Sequence, residues 1–77
     1  MSFDEIQTEI RAARPVCARI GWDNGGGHFV VIDEATELTS GTQLVHVLDP
    51  LFANSTILYE DFVSEYLGDG QWTGTFL

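Results

Sequence analysis

Three consecutive glycines, Gly25-Gly26-Gly27, run directly into His28-Phe29-Val30-Val31-Ile32. The glycines, with Asp23-Asn24 before them, accept dihedrals closed to most residues and mark a turn. Apart from the histidine, the residues that follow are β-branched or aromatic and favour a strand. Val16–Trp22 on the other side of the turn favours one too, so the pair reads as a hairpin. A sheet is therefore unavoidable, and the chain has only 77 residues with which to cover it. Folding at this length buries about 60% of the unfolded surface. The expectation is one small domain over residues 1–77 with a thin core. A second copy or a partner lying on one sheet face would add the buried surface it lacks.

The remaining elements follow from local chemistry. Ser2 with Glu5 three residues on is a capping box. Phe3, Ile6 and Ile10 then share one helical stripe, Asp4 and Glu5 sit in the first turn, and Arg11 and Arg14 lie near the last. Pro15 stops the helix, which is predicted over residues 3–13. The second strand is predicted from His28 to Asp33, and the acidic run Asp33–Glu37 with Ser40-Gly41 as a bend or loop. Thr42–Leu48 is a third strand ended by Pro50, and Thr56–Glu60 a short fourth. Asp61–Leu67 fits a two-turn helix with Phe62, Val63, Tyr66 and Leu67 inward. Gly68-Asp69-Gly70 is a tight turn, and Gln71–Phe76 a closing strand anchored by Trp72. The sum is an α+β fold: a small bent antiparallel sheet of about five strands, an N-terminal helix and a short second helix. The Met-Ser start leading straight into structure is what a complete small gene product would show.

Charge narrows the partners. The formal net charge is -9, and all three basic residues, Arg11, Arg14 and Arg19, fall in the first quarter. From Ile20 onward there is no Lys or Arg. Such a field repels nucleic acid and anionic membrane and attracts a basic protein, a basic peptide or divalent cations, while solubility is the simpler reading of the same charge. A single cysteine, Cys17, excludes an internal disulfide framework and a Cys-rich metal site. With no long apolar run and no targeting segment, a cytoplasmic protein is expected.

His28 opens a strand, and Asp49, followed by Pro50, ends another. An adjacent-strand spacing of about 5 Å would bring the carboxylate to the imidazole. A histidine with one nitrogen tied to an acid and the other free is the general-base arrangement. On the residues alone, the simpler reading is that His28 is a polar strand-edge residue and Asp49 the opening of an Asp-Pro turn. Trp22, beside Gly25, Gly26, Gly27 and His28, is placed to line a groove for a peptide or partner. His46 lies mid-strand, and its spacing of three from Asp49 sends the two side chains to opposite faces. That disfavours a metal site built from His28, His46 and Asp49, and no metal is expected. No cofactor is expected either, because the glycine run lacks the following Gly-Lys-Thr/Ser of a phosphate loop.

Taken in order, Arg14-Pro15-Val16, Ile20-Gly21-Trp22, Gly27–Ile32, Val45–Pro50 and Gly70-Gln71-Trp72 form a wider pattern. It resembles the C-terminal, barrel half of the papain-like bacterial cysteine peptidases of the C39-like group, which includes bacteriocin-leader and related effector proteases. The likeness spans nearly the whole chain and rests on the combination of its pieces. It implies His28 as the general base and Asp49 as the acid that orients it. It also implies a nucleophilic cysteine at the start of a long helix in a preceding half-domain, with an oxyanion-stabilising glutamine just before it. Neither occurs here, and Gln7 has no cysteine after it in its helix.

Cys17 is a poor substitute. In a hairpin closed by the glycine turn, Trp22 lies near His28 and Cys17 near Asp33. That leaves about five residues of strand, roughly 17 Å, between thiol and imidazole, where nucleophile and base need about 3 Å. Flanked by Val16 and Ala18, Cys17 reads as core filler. Three roles remain open. The chain is a catalytically inactive half-domain that binds or regulates a protein or peptide, with His28 and Asp49 vestigial. Or it is half of a split cysteine peptidase whose nucleophile comes from a partner chain. Or it is a structural or interaction protein with no link to proteolysis. A homo-oligomer or a hetero-complex fits each of them.

Overall fold

The computed structural model describes residues 1–76. It runs α1 (Phe3–Arg11), β1 (Val16–Trp22), β2 (Gly27–Glu37), β3 (Gln43–Leu48), β4 (Ser55–Leu58), α2 (Tyr59–Ser64) and β5 (Gly70–Phe76). The five strands form one antiparallel sheet in the order β4-β3-β2-β1-β5. The fold is α+β, with the two helices on one face of the sheet. No helix among the described residues is long and apolar enough to cross a membrane.

Local chemistry sets the element ends. Ser2 Oγ accepts from Glu5 N at 3.1 Å and Glu5 Oε1 accepts from Ser2 N at 2.9 Å, closing the capping box. The helix ends at Arg11, two residues before the predicted stop. Ala13 there takes φ 59°, while Arg14 N and Ala13 N donate to Glu9 O and Ile10 O. This backbone wrap satisfies the last carbonyls and turns the chain before Pro15 can clash. Alternation along β1 sends Val16, Ala18 and Ile20 into the core. They meet Val30 and Ile32 of β2, Val45 and Val47 of β3, Phe3 and Ile6 of α1, and Phe62 and Tyr66 from α2 and just beyond it.

Four expectations need correction. The acidic run after Ile32 is strand and not loop: β2 continues to Glu37 and pairs with β3 through Glu37↔Gln43. Acidic side chains need only an exposed face, which this stretch has, and Gln43 Nε2 donates to Glu37 Oε1 across the pair. A register shift between Ile32 and Glu34 bulges Asp33 out of the ladder, and such bulges bend a sheet. The second helix lies earlier than predicted, so Val63 and Leu67 are exposed, while Phe62 and Tyr66 are buried. The hairpin register places Cys17 opposite Val31 and not near Asp33. Cys17 is half-buried on the face away from the helices, beside β-partner Phe76, so it does not fill the core.

Candidate functional site

The strand ends that meet at one edge of the core carry the buried polar groups. His28 occupies a core-facing position of β2, across from Ile20. Asp49 is the first residue after β3, next to the end of the Val31↔Leu48 pairing. His28 Nε2 lies 2.9 Å from Asp49 Oδ1, and the two residues are 8% and 5% exposed. The same Oδ1 accepts from Leu51 N at 2.9 Å and Phe52 N at 3.0 Å, and Oδ2 accepts from Tyr66 Oη at 2.5 Å. Asn54 Oδ1 in turn accepts from Asp49 N at 2.9 Å. Asp49 thus closes its Asp-Pro turn and also holds the imidazole.

Electrostatics fix the proton positions. Burial pushes the Asp49 carboxyl up, but the hydrogen bonds from Tyr66, Leu51, Phe52 and His28 outweigh it and hold the group down at about 2, against an ordinary 3.8. Four donors on one carboxylate are the arrangement that favours its charged form. Burial, followed by the hydrogen bond to Asp49 and its negative charge, raises the Tyr66 hydroxyl well above the ordinary tyrosine range. Tyr66 therefore donates and Asp49 accepts. An ionised carboxylate has no proton to give, so His28 Nε2 carries the hydrogen between them. In the neutral ring that leaves Nδ1 with its lone pair. No described residue bonds to Nδ1, and no sealed-off side-chain nitrogen or oxygen among them lacks a partner, so Nδ1 keeps some contact with solvent.

Aromatic rings wall the imidazole. Trp22 stacks on it, with centroids 5.8 Å apart and planes 21° apart, and the edge of Phe52 meets it at 5.5 Å. Trp22 also stacks on Tyr66 at 6.3 Å. Trp22 and Phe52 then continue into an open depression of about 410 Å³, completed by Asn24, Leu67 and Asp69. The histidine is therefore held from behind by an acid, flanked by apolar rings, and open on one nitrogen. That arrangement can accept a proton from a group delivered from outside.

The structure brings together His28, Asp49 and Trp22. It separates the others. Gly25 and Gly26 take φ 97° and 84° in the hairpin turn, and neither lines the depression. Gly27 begins β2, where a Cβ would run into the Arg19 guanidinium. His46 lies on the opposite sheet face, with Nδ1 2.7 Å from Asp33 Oδ1. Cys17 is offset from His28 by three residues of strand, roughly 10 Å, and points to the other face. Sequence reasoning missed Tyr66 as the second donor side chain on Asp49, and missed Phe52 and Leu67 as walls of the depression. The inward stripe of the helix predicted over Asp61–Leu67 hints at Tyr66, but nothing in the sequence pairs its hydroxyl with Asp49. No protein-family model, no curated protein and no solved structure matches this chain.

Proposed function

We propose that this chain is a papain-like half-domain that binds a protein or peptide segment in the depression beside His28 and supplies no nucleophile itself. The observation that carries this reading is the position of the imidazole. His28 is clamped by Asp49 at Nε2, open at Nδ1, and walled by the same Trp22 and Phe52 rings that line the depression. Exposed Phe52 and Leu67 at its rim, 55% and 53% accessible, are the apolar surface a docked segment would cover.

The unbonded Nδ1 favours a second reading, in which the chain is half of a split cysteine peptidase. A partner's cysteine would lose its proton to Nδ1, and its thiolate would attack an acyl carbon. His28 would then return the proton to the leaving group, while Asp49 fixes the tautomer.

Both readings are tested by recovering complexes of the purified chain from lysate of its source. A partner retained by the parent chain and by Phe29→Asp, but lost with Phe52→Asp or Leu67→Asp, is the predicted result. Retention by all three variants would overturn the docking site. Within a recovered complex, labelling of a partner cysteine by a thiol-directed probe that falls at least tenfold with His28→Ala selects the split enzyme. Labelling indifferent to His28 removes it.

A further inference from the structure

The chemistry of the depression identifies what it takes, on the premise that it is a docking site at all. Its walls are Trp22, Phe52 and Leu67, and its polar rim is Asn24 and Asp69. Asp23 N donates to Asp69 O at 2.8 Å, which staples the β1–β2 turn to the α2–β5 turn, and each of the two stapled turns carries an exposed aspartate. Among the described residues no arginine forms an ion pair with either aspartate. Arg19 is the nearest in sequence, but it lies on the opposite sheet face, with its guanidinium against Gly27 and bonded to Thr73 Oγ1 at 2.9 Å. Arg14 is paired with Glu9 at the end of α1.

The two rim loops are also held in costly shapes. Leu67 takes φ 52° in the tight turn closed by Tyr66 N to Gly70 O at 2.7 Å and Gly70 N to Tyr66 O at 2.8 Å. Ala53, next to Phe52, takes φ 93°. Left-handed backbone at residues other than glycine is rare and gathers where function holds it. Of the three such residues described, Ala13 ends α1, while the other two set an exposed large apolar side chain, Leu67 itself and Phe52 beside Ala53, at one depression.

We infer that the depression binds a single lysine or arginine side chain of an extended basic segment of a partner protein. Such a side chain matches both halves of the site. Its methylene stem lies along Leu67 and Phe52, its cationic head approaches the Trp22 ring, and the Asp69 carboxylate receives it. A purely apolar side chain would leave Asp69 beside uncompensated apolar surface, and an acidic one would be repelled. The inference rests on the binding reading above, and it adds the identity of the anchoring residue.

The test uses fluorescence polarisation of the intact chain with a labelled Gly/Ser peptide carrying one central arginine. A second peptide carries citrulline there, which keeps the shape but loses the charge and exchanges one donor nitrogen for a carbonyl acceptor. The arginine peptide should bind about tenfold tighter, the factor that about 1.4 kcal/mol represents. Asp69→Asn should erase most of that preference, while Glu37→Gln, an equal charge change at the far end of β2, should leave it. Phe52→Ala, at an exposed position, should weaken both peptides. Equal binding of the two peptides, lost with Phe52→Ala, overturns the cationic anchor while the docking site stands. A preference that Glu37→Gln reduces as much as Asp69→Asn does assigns it to net charge and overturns the anchor as well. No binding of either peptide by the folded chain overturns the inference and the docking reading together.

Discussion

Asp49 is asked to do two things, and its hydrogen bonds show both. Oδ1 takes Leu51 N, Phe52 N and His28 Nε2, and Oδ2 takes the Tyr66 hydroxyl. Because the folded carboxyl is held at about 2 against 3.8, it binds its proton less tightly in the folded chain than in the unfolded one. Its contribution to stability is therefore fully present above about pH 4 and lost as the pH falls through 2. The size is on the order of 2 kcal/mol, from about 1.36 kcal/mol per pH unit. Urea unfolding followed across acidic pH should show this limb in the parent chain. Asp49→Asn should flatten it and lower stability near neutrality by a similar amount. A limb of unchanged slope in Asp49→Asn would mean that other carboxylates carry the acid sensitivity.

At the scale of elements, Gly70 joins the sheet to the site. It is buried at the start of β5, and a Cβ there would sit 2.6 Å from Ile20 Cγ2 and 2.7 Å from Trp22 Cζ3. Gly70→Ala should push the Trp22 ring off His28 and Tyr66. The expected cost is about 1–3 kcal/mol, with a changed near-ultraviolet circular dichroism spectrum. A variant with parent stability and an unchanged aromatic signal would show that the Trp22 stack is loose. Much of this level was legible. The capping box and the Val30-Val31-Ile32 stretch of β2 were readable because caps and β-branched runs act locally. The His28–Asp49 meeting was readable because both sit at strand ends. The extension of β2 was not, since acidic residues report exposure and not backbone shape. Leu67 misled for a related reason: a helical stripe predicts an inward side chain, but α2 stops at Ser64 and leaves Leu67 in a left-handed turn. The Tyr66 hydroxyl on Asp49 depends on how α2 packs against β3 and β5, which no local pattern encodes.

At the scale of the molecule, a net charge of -9 surrounds a sheet covered by helices on one face only. The other face carries Cys17, Val31, Leu48 and the Phe29–Phe76 pair, with ring centroids 5.7 Å apart. The polar site lies at the covered edge, where strand ends, the Asp-Pro turn and the α2–β5 turn converge. The general-base geometry of that site depends on one proton: ionised Asp49 must hold the hydrogen of His28 on Nε2 and leave the lone pair on Nδ1. Long-range proton–nitrogen NMR of the ¹⁵N-labelled intact chain at mildly alkaline pH reads that directly. His28 is expected as a single Nε2–H tautomer, which Asp49→Asn releases to a mixture. An Nδ1–H tautomer in the parent chain, or a tautomer indifferent to Asp49, would contradict that geometry.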